Sequence, residues 1–242
     1  MNKDFLWGSA TASYQLDNKT ITQKISAVRH KGLGPDLLKR QTGPHAHYVG
    51  ITPDKQFVYS VDLGADKDII YRFHQGVLLE DADYTLNVIP GSGPRHMIFS
   101  YDGRFAYLVN EIANNIMVFK YSEGRFSLIQ AIHCIPRHFK GFSSASAIRM
   151  TSTGEHLFVS NRGHDSIAMY RVNKESGKIS LLYMVHTGKG PRDFHIINDQ
   201  FLIVGCQGDN QLQVLTFDED NEKLLMSDST IDLPAPVCIA FE

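Results

Sequence analysis

The chain has 242 residues, 43% of them apolar, three cysteines and a formal net charge of -2. That is enough apolar side chain to bury one large core or two smaller ones. Near-neutral charge argues against a nucleic-acid partner, and no run of about 18 apolar residues is present to cross a membrane as a helix.

In chain order, the stretch Asp4 to Leu16 (DFLWGSATASYQL) carries the single tryptophan, Trp7, and matches nothing later in the sequence. Ser9, Thr11, Ser13 and Gln15 interrupt its apolar residues and no basic segment precedes it, so it does not read as a secretory signal. Cytoplasmic localisation is expected. Cys134, Cys206 and Cys238 are widely separated with no CxxC spacing, which agrees with reduced thiols in that compartment. Ile21 to Val28 reads as one outer strand.

From His47 the sequence repeats itself. HYVGITPDKQFVYSVDLGADKDIIYRF from His47, RHMIFSYDGRFAYLVNEIANNIMVFKY from Arg95, SAIRMTSTGEHLFVSNRGHDSIAMYRV from Ser146 and RDFHIINDQFLIVGCQGDNQLQVLTF from Arg192 align at a period of about 50 residues. Each unit runs apolar strand, polar turn, apolar strand, short loop and alternating strand. A further apolar run such as Phe126 to Ile132 closes it. The turns are Pro53-Asp54-Lys55, Tyr101-Asp102-Gly103 and Ser152-Thr153-Gly154. No segment sustains a 3.6-residue period. One four-stranded antiparallel blade cannot bury its faces alone, so the predicted fold is all-β, a β-propeller with about four complete blades. The last stretch, Pro234 to Phe241, reads as the first strand of another blade. Residues 1–20 are expected to be an appendage and 21–242 a partial propeller.

In such a blade the residue entering the first strand and the residue leaving the second share a rim. Those positions hold His47 with Leu63, Arg95 with Glu111, Ser146 with Arg162, and Arg192 with Gln207. A purely architectural position would hold similar residues in every blade. A histidine, a carboxylate and three arginines instead suit an anionic substrate and water activation. An Arg beside a Glu is equally the pattern of a structural ion pair, which keeps both readings open.

Other constellations are weaker. Gly91-Ser92-Gly93-Pro94 and Gly188-Lys189-Gly190-Pro191 look like phosphate loops but lead into no helix, so they read as turns into the inner strand. His45 and His47 form an H-x-H pair able to ligate a metal if both faced inward; no third ligand is evident, and neither a metal nor a cofactor is expected. His96 is expected to pack between blades, and His133, Cys134 and His138 to be structural loop residues.

With these residues in hand, the chain from about Ser26 onward resembles the lactonase family of seven-bladed propellers, typified by bacterial cycloisomerase-type 6-phosphogluconolactonases. RQTGPHAHYVGITPD, PGSGPRHMIFSYDGRFAYLVNE, LFVSNRGHDSIAMYRV and TGKGPRDF carry the likeness. By resemblance to the related fungal muconate-lactonizing enzyme, the catalytic set falls on His47, Arg95, Glu111 and Arg162, with His45, His96, Arg192 and Gln207 as substrate-binding candidates. The resemblance implies hydrolysis of a sugar δ-lactone, 6-phosphogluconolactone, to its open acid in the pentose phosphate pathway. Glu111 or His47 would be the general base, and Arg95 and Arg162 would hold the phosphate and stabilise the oxyanion.

Family members are longer on the N-terminal side, so truncation is expected, leaving four complete blades and two loose ends. FLWGSATASYQL resembles the N-terminal signature of family 1 glycoside hydrolases, whose remaining barrel is absent, which suggests a junction and no glycosidase activity. The partner expected is a small phosphorylated sugar lactone, with no nucleic acid and no membrane, and with possible self-association through open propeller edges. The alternatives are a non-catalytic propeller scaffold and an inactive truncated fragment.

Overall fold

The computed structural model describes residues 10–17, 20–36 and 40–240, which hold nineteen strands and no helix. β1 (Ala10–Asp17) and β2 (Thr20–Arg29) form a two-stranded antiparallel sheet. Each later sheet begins at one of the sequence repeats. The first runs β3 (Ala46–Ile51), β4 (Phe57–Asp62), β5 (Lys67–His74) and β6 (Val77–Glu80), with β7 (Leu86–Asn87) also pairing with β5. The second runs β8 (Pro94–Phe99), β9 (Phe105–Asn110), β10 (Asn115–Ser122) and β11 (Arg125–His133). The third runs β12 (Ser144–Met150), β13 (His156–Arg162), β14 (Ser166–Val172) and β15 (Ile179–His186). The fourth runs β16 (Pro191–Ile197), β17 (Phe201–Cys206), β18 (Gln211–Asp218) and β19 (Lys223–Asp232). These are the four expected blades. Consecutive strands lie side by side because each connection is a short turn.

Burial follows strand position. All six residues of β9 are buried, as are most of β4 and β13, and each of these strands has an apolar run followed by polar residues at its end. The closing strands are less buried: β19 is largely exposed, and β11 and β15 are exposed or half-buried at nearly every position. The turn between the first two strands is stapled alike in three blades. The hydroxyls of Thr52, Ser100 and Thr151 accept from the amides of Phe57, Phe105 and His156 at 3.1, 3.0 and 3.2 Å. A local side-chain bond of this kind stabilises a reversal without help from distant residues.

The chain divides into two compact units, residues 1–106 with 119–127, and residues 107–118 with 128–242. In the second unit, Ala147, Phe158, Ile167 and Met169 of the third blade share a core with Phe194, Leu202, Val204, Leu215 and Phe217 of the fourth. Burying each larger side chain contributes roughly 1.5–3 kcal/mol. In the first unit, Tyr59 donates to the carbonyl of Met97 at 3.2 Å, and its ring meets Phe99 edge-on. A fully buried relay holds the segment after β2. His30 Nδ1 meets Asp62 Oδ2 at 2.5 Å, and His30 Nε2 meets the Tyr71 hydroxyl at 2.8 Å.

Two expectations are corrected. Ile21 to Val28 is not a lone outer strand but part of β2, paired along its length with β1, so a boundary at residue 20 would cut a hairpin. Asp4 to Ser9, including Trp7, lie outside the described residues. Pro234 to Ala240 form no strand. Pro234 and Pro236 have no amide to give a ladder, the amide of Ala235 bonds the Asn210 side chain, and that of Ile239 bonds Asp193, each at 3.0 Å. Phe241 lies outside the described residues.

Candidate functional site

The candidate residues sit at a recurring irregularity. In β3 the register slips by one between Ala46 and Tyr48, in β12 between Ala145 and Ile148, and in β16 between Pro191 and Asp193. His47, Ser146 and Arg192 therefore stand in β-bulges of the first strand, the device by which a sheet re-aims a side chain while the ladder continues. Arg95 holds the equivalent repeat position on β8. The partner positions close the same ends of the blades. Arg162 lies opposite Ser144, and the amides of Leu63 and Gln207 donate to the carbonyls of His45 and Gly190, each at 3.0 Å.

In the first unit, an Arg95 Nη1 donates to His47 Nε2. Accepting there requires that nitrogen to be unprotonated, which places any proton of the neutral ring on Nδ1. Arg95 is only 4% exposed. The His96 ring lies 5.3 Å from that of His47 and 5.1 Å from that of Tyr48, packed as expected against its neighbouring blade. His45 precedes β3, is exposed, and sends its amide to Asp62 at 2.8 Å. The H-x-H pair thus does not act as a unit, since the two side chains differ in exposure and one of them meets a guanidinium. Among the described residues no group of three or more His, Cys, Asp or Glu could hold a metal ion.

In the second unit, Glu111 is 1% exposed and its Oε2 lies 3.0 Å from Arg162 Nη2. Arg162 also donates to the carbonyl of Ala145 at 3.4 Å. The pair sets the buried carboxyl of Glu111 beside the half-buried guanidinium of Arg162, and removing one partner strands the other. Arg192 donates to Gln207 Oε1 at 3.3 Å, and the Ser146 hydroxyl bonds the carbonyl of Arg192 at 2.5 Å. Every candidate except His45 thus has a side-chain contact with another residue at these rim positions or with an adjacent ring. Chemically, Glu111 with Arg162 offers a proton acceptor beside a fixed positive charge.

The glycine-rich stretches are turns. The amides of Gly91 and Gly93 end on Asp66 at 2.7 and 2.8 Å, that of Gly190 on Asp165 at 2.8 Å, and that of Lys189 on Asp209 at 2.7 Å. Internal carboxylates occupy the donors that a phosphate loop would present. His133 and Cys134 are structural, since their carbonyls accept from Tyr170 at 3.0 Å and Asn161 at 2.8 Å. Burial pushes the Cys134 thiol up, and Cys134, Cys206 and Cys238 are all free. Two features escape a reading of sequence alone, the buried His30 relay and the carboxylate of Asp68. Asp68 is fully buried, neither of its oxygens has a hydrogen-bond partner, and burial raises it well above the usual carboxylate range.

Comparison with known proteins follows the same lines. The profile of the family described as "Lactonase, 7-bladed beta-propeller" matches residues 7–241. A protein of Bacillus subtilis named 6-phosphogluconolactonase is 36% identical over 229 residues, covering 93% of this chain. The chain spans 64% of that protein's length. Among solved structures, a protein from Lactobacillus plantarum superposes with a TM-score of 0.89 at 31% identity, covering 95% of this chain and 67% of that one. The periplasmic gluconolactonase of Pseudomonas aeruginosa superposes with a TM-score of 0.85 at 29% identity, covering 93% of this chain and 67% of that one.

Proposed function

The chain belongs to the lactonase family of seven-bladed β-propellers, and from that premise we propose that it hydrolyses a sugar δ-lactone, 6-phosphogluconolactone, to the open acid. The observation that carries this reading is the buried Glu111–Arg162 pair at the end of β9 and β13. Glu111 is the general base. His47 is the poorer candidate because its Nε2 lone pair already accepts from Arg95. A carboxylate accepts at both oxygens, so an ion pair on one side is compatible with a water on the other.

In the reaction, the water oxygen forms a bond to the lactone carbonyl carbon as its proton passes to Glu111. The carbonyl oxygen becomes an oxyanion facing the Arg162 guanidinium, a preorganised charge in a poorly solvated place. Collapse breaks the bond from that carbon to the ring oxygen, and the proton on Glu111 passes to the departing alkoxide. The net change is addition of water across the ester.

The test is hydrolysis of freshly generated 6-phosphogluconolactone by the purified chain, followed in a pH-stat against the spontaneous rate. Turnover above background supports the reading, and a rate equal to background overturns it. No separate glycosidase role is proposed for Asp4 to Leu16, because the family match runs from residue 7 and Ala10–Asp17 pair with Thr20–Arg29. Cytoplasmic action and self-association through strand edges are further proposals. The second is supported by Val49 and Ile51 on β3, 55% and 65% exposed, and is tested by sedimentation velocity.

A further inference from the structure

A phosphorylated lactone carries a dianion, and neither arginine of the catalytic set is placed to take it. Arg95 is buried and donates to His47, and Arg162 is committed to Glu111 and to a backbone carbonyl. The loop between β11 and β12, residues 134–143, offers cations that the reaction does not use. Both its ends are tied to one residue: the Cys134 amide donates to the Asn114 carbonyl at 3.0 Å, and the Asn114 side chain donates to the Ser143 carbonyl at 2.9 Å. Its middle turns back on itself, with the Phe139 amide on the Pro136 carbonyl at 3.0 Å, and carries Arg137, His138 and Lys140 outward, all exposed.

The loop is seated on the turn that follows Arg162. Phe139 meets the His164 ring edge-on at 4.9 Å, and His164 stacks on His186 at 5.2 Å. Burial, with His186 beside it, lowers His164 below the usual imidazole range. At Gly163, whose φ is +90°, a Cβ would lie 2.2 Å from the Phe142 carbonyl oxygen. The turn between β15 and β16, which follows His186 in the chain, presents the exposed Lys189.

The local carboxylates do not neutralise these cations. Asp165 is taken by the amides of Gly163 and Gly190, Asp209 by the amide of Lys189, and Glu111 by Arg162. Arg137, Lys140 and Lys189 form no ion pair among the described residues. The result is an anchored loop with unneutralised positive charge, backed by His164, which lies two residues along the chain from Arg162.

We propose that Arg137 and Lys140, carried on the 134–143 loop above His164, form the subsite for the phosphate monoester of the substrate. Arg137 supplies a planar fork for two phosphate oxygens and Lys140 a point charge. The proposal deepens the δ-lactone reading and rests on it for the identity of the sugar.

The test is calorimetric titration of the purified chain with 6-phosphogluconate and with gluconate at low salt. The expected result is at least tenfold tighter binding of 6-phosphogluconate, a gap that closes in the Arg137→Ala/Lys140→Ala double variant and survives in Arg137→Lys/Lys140→Arg. Both residues are exposed, so melting of the variants checks that the fold is kept. The proposal is overturned if the wild-type chain shows no such gap, whether both acids bind alike or neither binds, or if the gap persists in the alanine double variant. A wild-type chain that shows the gap but hydrolyses no lactone would overturn the hydrolase reading and leave the subsite standing.

Discussion

Asp68 occupies the second position of β5, where β10, β14 and β18 carry Ile116, Ile167 and Leu212, so the blade itself has no need of a carboxylate there. An ionised carboxyl without partners is costly to bury, and the folded chain holds the proton to a higher pH than the unfolded chain does. The native state then binds more protons than the unfolded one above about pH 4, so stability falls as pH rises from there toward the folded-state value. Asp68→Asn is expected to raise Tm at pH 8 and to leave it nearly unchanged at pH 3.5, read by thermal melts across that range. For Arg162, the prediction is a double loss. Arg162→Ala strands the Glu111 charge, at a cost of about 3–5 kcal/mol in a denaturant melt, and lowers kcat/KM by roughly 100-fold or more. Arg162→Lys restores the charge and most of the stability but not the planar contact, so a kcat still depressed in that variant separates chemistry from folding. The repeat made the positions of His47, Arg95, Glu111 and Arg162 legible. Their partners were not legible, because in each pair the contact joins one repeat to the next.

Among the elements, what is local was readable and what is long-range was not. The alternation and the turn residues placed the strands of all four blades, since a hydroxyl such as Thr52 bonding the amide of Phe57 involves only neighbours in sequence. The pairing of β1 with β2, the coil at Pro234–Ala240 and the His30–Asp62 contact depend on partners that sequence does not mark as adjacent. The turns also set two predictions. Lys55 adopts φ +58° where the equivalent positions of the next two blades are Gly103 and Gly154, both at +71°. Lys55→Gly is expected to raise stability by about 0.5–1 kcal/mol, because relief of left-handed strain outweighs the added freedom of the unfolded chain. An unchanged or lower melting point would contradict that balance. Gly163→Ala is the opposite case. Its Cβ would strike backbone at Phe142 in a conformation L-residues disfavour, so Tm should fall and hydrogen exchange in residues 134–143 should quicken.

For the whole molecule, four blades built on one pattern carry, at the proposed site, residues that are not repeated: a histidine on the first, arginine and glutamate on the second, arginine on the third. The proposed hydrolysis would give that asymmetry a use, with Glu111 as its general base. The most direct measurement is therefore the rate of 6-phosphogluconolactone hydrolysis by the wild-type chain and by Glu111→Gln, each against the spontaneous rate at the same pH. Glu111→Gln keeps the shape of the side chain and removes the proton acceptor. The expected result is wild-type turnover above background and a variant within a few per cent of background with its fold intact. A variant that hydrolyses the lactone as fast as the wild type would contradict it.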